Sequence, residues 1–191
     1  MILASASTVR AKVLKDAGIA FDIVPANVDE DTVKASVEEP RAMAEALASL
    51  KAFTVSASHP GRLVLGADQV LVLEGRTMSK APDLKTAAEH LRLLRGKRHV
   101  LVGALTLARD GAPVWRHTSI AALTVRDFSD AFLADYLARE GEAILGSVGC
   151  YRLEGMGAQL FESIEGDYFS ILGLPLLPLL QALRSLGAIG A

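Results

Sequence analysis

The sequence predicts a mixed-sheet α/β domain, and three observations lead there. Short apolar runs that read as strands alternate with stretches whose apolar residues recur at helical spacing, the pattern of helix-connected parallel strands. A continuous apolar run ends in the acid-amide pair Asp68-Gln69. Two long strand-like segments, 100–108 and 114–125, flank Asp110-Gly111, a dipeptide suited to a two-residue hairpin. Crossover helices imply parallel pairing and the hairpin implies antiparallel pairing, so the sheet is mixed.

Taken in order, residues 2–6 form a short buried strand, and Ser7 caps a helix that runs to Ala17 and stops at Gly18. Residues 21–24 form a second strand, followed by a polar loop over 27–31. From 40 to 58 the spacing of Met43, Leu47, Leu50 and Phe53 predicts a helix, with Lys51 beside the apolar stripe. Residues 63–73 are rich in strand formers and close on the turn Glu74-Gly75. Lys80 lies in a loop ending at Pro82. A helix from about Asp83 to Arg95 buries Leu84, Ala88, Leu91 and Leu94 and stops at Gly96. After the long hairpin, Ser129 caps a helix over 130–139. Residues 146–173 read as turns and short strands, and a last helix begins near Pro175 and fades by Gly187. With 191 residues and no linker or repeat, the expectation is one domain spanning 1–191.

Composition narrows the function. Charge is nearly balanced at −2, and aromatics are 5%, so neither a broad basic face nor a stacking platform for nucleic acid is expected. The run Arg92, Arg95, Lys97, Arg98 and His99 reads as a solvated helix end. The apolar tail 171–180 is broken by Pro175 and Pro178 and is too short to cross a bilayer, so no membrane partner is expected. Cys150 is alone and flanked by glycine, without an evident histidine partner. It reads as a structural thiol in a reducing compartment. The opening residues show no signal peptide pattern, which makes the cytoplasm the expected location. Zinc spacing, a Walker loop, a dinucleotide fingerprint and a nucleophile elbow are all missing from the sequence.

The chemistry that remains is that of a phosphorylated ligand. Ser5 and Ser7 precede a helix N-terminus, where hydroxyls and backbone N–H groups bind phosphate oxygens, and Arg10 adds a forked cation one turn later. The plainer alternative is a capped helix with a solvated arginine. Asp29 is expected to be solvated. Glu30 matters if it faces Asp68, because two carboxylates and a phosphate form the hard oxygen set that Mg²⁺ or Mn²⁺ prefers. Without a cation such a pair repels by about 4 kcal/mol at close range. Asp68 is the strongest candidate, since an acid is a costly end to a buried strand, and it could act as a general base. Lys51 and Lys80 could neutralise a polyphosphate.

As a set, these residues resemble the Maf family of nucleoside triphosphate pyrophosphatases from end to end. The family's Leu-Ala-Ser-x-Ser-x-x-Arg matches Leu3 to Arg10; its Asp-Glu matches Asp29-Glu30, and its Lys-Ala matches Lys51-Ala52. Gly-x-Asp matches Gly66-Ala67-Asp68, and the lysine before proline matches Lys80, with Ala81 inserted before Pro82. Glu-Gly-x-Gly matches Glu154 to Gly157, and Gly-Asp-Tyr with Gly-Leu-Pro matches Gly166 to Pro175. The resemblance implies a fold of two lobes around a central cleft, and divalent-metal-dependent hydrolysis of a nucleoside triphosphate to monophosphate and pyrophosphate. It makes Asp68 the proton acceptor and Glu30, with Asp68, the metal ligands. Ser5, Ser7, Arg10, Lys51 and Lys80 become the phosphate-binding set. It also implies a homodimer.

Two branches of the family differ before the motif arginine, after the catalytic aspartate and at the position of Glu154. The branch acting on dTTP and UTP carries Arg, Thr and Gln; the 7-methyl-GTP branch carries Trp, Gln and Glu. Here Val9, Gln69 and Glu154 match the second branch twice and neither branch at Val9. A carboxylate suits the donor edge of guanine. The competing expectation is a catalytically silent nucleotide-binding regulator of cell division. A third is an RNA-binding accessory domain built on the Arg92 to His99 cluster.

Overall fold

The computed structural model describes residues 1–190. In chain order the elements are β1 (Ile2–Leu3), α1 (Thr8–Asp16), β2 (Asp22–Ile23), α2 (Glu30–Ser36), α3 (Pro40–Ala57), β3 (Val64–Leu73), β4 (Arg76–Met78) and α4 (Leu84–Leu94). Then follow β5 (Arg98–Arg109), β6 (Ala112–Val125), α5 (Asp130–Glu140), two 3₁₀ turns (Gly141–Gly146 and Met156–Leu160), β7 (Phe161–Glu165), α6 (Tyr168–Ile171) and α7 (Leu176–Ser185). The mixed α/β expectation holds. Strands hydrogen-bond in the order β2-β1-β3-β5-β6-β7, with β4 paired to β3. Two compact units divide the chain.

The first unit comprises Met1–Gln69, Val102–Ser119 and the residues from Asp167 on. Its β1 lies between two parallel neighbours, β2 (Ile2↔Asp22, Leu3↔Ile23) and β3 (Ile2↔Val64, Leu3↔Leu65). Side chains alternate across the pleat. Leu3 and Leu65 therefore join Leu14, Leu105, Leu107, Leu179 and Leu183 in one cluster, while Ile2 and Val64 meet Val55 of α3 in another. The buried stripe of α3 is Met43, Ala44, Leu47, Ala48, Ala52 and Val55. Leu50 and Phe53, expected in that stripe, are only half-buried. Alanines take the contact because β3 comes very close there. A Cβ on Gly66 would lie 2.1 Å from the Ala48 carbonyl oxygen and 2.7 Å from the Ala52 nitrogen.

The expectations for the two candidate acids need correction. Residues 27–31 are not all loop, because a helix starts at Glu30. Asp29 is its N-cap, its carboxylate accepting from the backbone N–H groups of Asp31 and Thr32. The helix α2 buries no residue, so it leaves no apolar periodicity to detect. Asp68 does not end its strand; β3 continues through it to Leu73. What ends nearby is the pairing with β1, which runs no further than the bond from the Ala4 N–H to the Leu65 carbonyl.

The second unit comprises Val70–Leu101 and Ile120–Gly166. The end of β3 turns into β4 through Glu74 and Gly75, both at positive φ (50° and 79°), as a type I′ turn requires. The Asp110-Gly111 turn of the first unit has the same signature at 52° and 76°. Helix α4 packs on α5, and β7 pairs antiparallel with β6. The basic run is dispersed and paired: Arg92 and Arg95 with Asp130, Lys97 with Glu74, and Arg98 with Glu165. It is therefore not a single solvated helix end, and His99 is buried on β5. Cys150 does have a histidine neighbour, His90, whose Nδ1 lies 3.9 Å from Sγ. Burial pushes that thiol up to about 11, so it stays protonated and inert.

His99 is 1% exposed, with Nε2 2.8 Å from the Tyr151 hydroxyl, and burial lowers its pKa to about 4. Between that value and about 6.5 the unfolded chain binds a proton that the folded chain refuses, so stability falls as pH falls through this window. The loss should approach about 3 kcal/mol by pH 4. Denaturant titrations from pH 7 to pH 4 should show it, and His99→Phe should flatten this part of the curve.

Among the described residues, no helix is long and apolar enough to cross a membrane.

Candidate functional site

The first unit assembles most of the residues that the sequence singled out. Chain leaves β1 through Ser5 into the cap of α1. The Ser7 hydroxyl accepts from the Arg10 N–H at 3.3 Å, which is the plain capping role. Ser5 is buried, and its hydroxyl accepts from the Ser7 N–H and from Arg10 Nη1, each at 3.2 Å. Arg10 itself turns back onto the fold. Its Nε donates to the Gly173 carbonyl at 2.9 Å and its Nη1 to the Ala67 carbonyl at 3.1 Å. Burial holds the Arg10 pKa below its ordinary value, against the opposing pull of Asp68 and Glu30. The guanidinium nonetheless remains charged at neutral pH.

Glu30, Lys51 and Asp68 meet. Lys51 Nζ lies 2.6 Å from Asp68 Oδ1 and 2.7 Å from Glu30 Oε1. The Lys51 and Asp68 side chains are 12% and 13% exposed. Three local features bring them together: α3 lies flush on β3 at Gly66, Lys51 is one residue before the contacting Ala52, and α2 packs on α3. Glu30 has a second cation that sequence reasoning missed, Lys34, whose Nζ lies 2.9 Å from Oε2. Burial pushes the Glu30 carboxyl up, but hydrogen bonds from Lys51 and Lys34 outweigh it and bring the pKa to about 2. Glu30 and Lys34 are four residues apart, an ordinary helical pair. The sequence signal for Lys34 is this four-residue spacing, which brings the two side chains together only within a helix.

Gln69 points at the segment around α6. Its Nε2 donates to the carbonyls of Ser170 (2.9 Å) and Ile171 (3.4 Å). Asp167 caps that short helix, accepting from the Ser170 N–H and hydroxyl. Gly173 follows at φ 80°, and a Cβ there would sit 3.3 Å from the Arg10 guanidinium nitrogens. The glycine-rich closing segment therefore buttresses Arg10 and Gln69. Val9 lies half-buried near the start of α1.

Lys80 and Glu154 belong to the second unit. Lys80 is exposed in the loop between β4 and α4. Glu154 pairs with Arg152 at 3.3 Å, and Arg152 reaches Glu140 at 3.4 Å. Glu140 also accepts from the Met156 N–H at 3.0 Å, tying down the turn that carries Glu154.

Comparison with known proteins gives this geometry a context. Residues 1–186 match the family described as Maf-like protein. The chain belongs to that family. A nucleoside triphosphate pyrophosphatase of Granulibacter bethesdensis is 53% identical over 188 residues, covering 96% of this chain and 95% of the relative. A protein of the same name from Caulobacter vibrioides is 53% identical over 191 residues, covering 98% and 96%. A 7-methyl-GTP pyrophosphatase of Rhizobium etli is 49% identical over 193 residues, covering 99% and 97%.

Which residues of this Maf-like chain could hold a metal follows from the donor set. Among the described residues, no group of three or more His, Cys, Asp or Glu side chains gathers as a self-sufficient metal cage. Glu30 and Asp68 supply hard oxygens drawn to one positive charge. That set fits Mg²⁺ or Mn²⁺ held by one or two carboxylates, with phosphate oxygens and water completing the shell.

Proposed function

We propose that this Maf-like nucleoside triphosphate pyrophosphatase cleaves its substrate to monophosphate and pyrophosphate with a divalent cation, Mg²⁺ or Mn²⁺, held by Glu30, Asp68 and the triphosphate. The convergence of Glu30 and Asp68 on Lys51 carries the reading. When bound, the cation supplies charge neutralisation on the phosphates and a more acidic water. The protein's own part is positioning and proton transfer. Asp68 accepts the proton of the attacking water as its oxygen bonds to the α-phosphorus and the bridge to the β-phosphate breaks. Arg10 and Lys51 counter the charge of the triphosphate, Ser5 and Ser7 hold the loop that delivers Arg10, and the family resemblance alone adds Lys80 to the phosphate-binding set.

We further propose a 7-methyl-GTP-like substrate, with dTTP or UTP next. Gln69 and Glu154 support it, as do relatives named for that activity. Gln69 acts by fixing the α6 segment, since its amide is committed to backbone carbonyls there. A homodimer in the cytoplasm completes the proposal: family resemblance alone supports the pairing, and the lone Cys150 supports a reducing compartment.

The test is a pyrophosphate-release screen over 7-methyl-GTP, dTTP, UTP and the common nucleotides, with Mg²⁺, with Mn²⁺ and with chelator. The expected result is release that requires the metal and is fastest with 7-methyl-GTP. Tight nucleotide binding without release across the panel would instead favour the silent regulator.

A further inference from the structure

Lys51 occupies a place that a metal would also seek. Its ammonium is held by one oxygen from each proposed ligand, at 2.6 and 2.7 Å, and is largely withdrawn from solvent. Lys34 holds the other Glu30 oxygen at 2.9 Å but is 40% exposed. Two carboxylates face the two ammonium groups, and the Arg10 guanidinium also lies within electrostatic reach of both acids, so the cluster carries no spare negative charge. A divalent cation entering that cluster meets three positive charges, of which Lys51 alone bridges both acids.

We propose that Lys51 is an internal competitor of the divalent cation, and that a polyphosphate loads the metal by drawing the Lys51 ammonium away from Glu30 and Asp68. This rests on the reading that Glu30 and Asp68 are metal ligands. The stem of lysine is flexible and its head is a compact point charge, so it can exchange one anionic partner for another. A triphosphate brings the new anion. The metal alone binds weakly because Lys51 would be left without a partner in a poorly hydrated site. Metal and polyphosphate then bind cooperatively, and by linkage each tightens the other by the same factor. Lys51 thus acts as a positioning residue that keeps the two acids together before loading and turns to the phosphates afterwards. Its fixed root on α3, against β3 at Gly66, confines that movement to the side chain.

The experiment measures Mn²⁺ binding to the full chain from the electron paramagnetic resonance signal of free Mn²⁺. Wild type, Lys51→Met and Lys34→Met are each compared with and without inorganic pyrophosphate, after correction for Mn²⁺–pyrophosphate complexes. Circular dichroism melts establish that each variant is folded, and Lys51→Gln replaces Lys51→Met if the latter is not. Without pyrophosphate, Lys51→Met should bind Mn²⁺ about tenfold tighter than wild type, and Lys34→Met within about threefold, because only Lys51 is shielded from solvent. Pyrophosphate should tighten wild type about tenfold and the Lys51 variant far less. Equal gains for the two lysine variants would mean that net charge alone is at work, and unchanged affinity in Lys51→Met would mean no competition; either overturns the inference while leaving the metal site intact. If no form binds Mn²⁺ even with pyrophosphate, the metal reading fails and the inference fails with it.

Discussion

Asp68→Asn should lower the rate of pyrophosphate release by about 10²–10⁴-fold, the range of a positioned general base, while the protein stays folded. The amide keeps the shape of the side chain and removes the proton-accepting charge. Lys51 retains Glu30 as a partner, so it is not left as an orphaned buried cation. The stability cost should therefore be about 1–3 kcal/mol, below that of breaking an isolated buried pair. Initial rates of pyrophosphate release, set beside a thermal melt of the same preparation, separate the two effects. A folded variant with near-normal turnover would remove Asp68 from the chemistry.

Gly66→Ala should be the most damaging small substitution in the first unit. The added methyl would meet the Ala48 carbonyl oxygen at 2.1 Å and the Ala52 nitrogen at 2.7 Å. Both are helix backbone, which cannot rotate away as a side chain tip can. Either α3 moves off β3 or β3 bends, at a cost of about 1–3 kcal/mol or more. Lys51 immediately precedes Ala52, so the same displacement pulls its ammonium off Asp68. A shift of about 1 Å at a reacting group costs about 10²-fold in rate. A lower urea midpoint together with a larger loss of kcat than of KM would bear this out. Unchanged stability would mean that the helix can slide freely, and that Lys51 is placed by something other than this contact.

The fold class was legible because its signals are local. Asp110-Gly111 and Glu74-Gly75 take positive φ at both central positions, as hairpin dipeptides do. The caps of α1, α4 and α5 are Ser7, Asp83 and Ser129, all short polar side chains that accept from the first turn. Helix α2 escaped because it has no buried face. Its only marks were the Asp29 cap, two acids in the first turn and Lys34 in the last. The stripe on α3 carries alanines where the helical spacing predicts Leu50 and Phe53, because a close helix–strand contact needs small side chains. An acid after an apolar run predicts a strand end at Asp68, since burying a carboxylate is costly. In the fold it sits within β3, beyond the reach of β1, with a lysine against it.

By itself the sequence determined the mixed α/β class, the family, and the candidate acids and cations, because capping, turn chemistry and motif order are written in neighbouring residues. Only the tertiary structure decided their partners. Lys51 is paired with Glu30 and Asp68, Arg10 is tied to Gly173, and Gln69 to Ser170. Those pairings span 17 to 163 positions of chain. Electrostatic attraction falls off with distance in space, and sequence separation carries no record of that distance until the chain is folded.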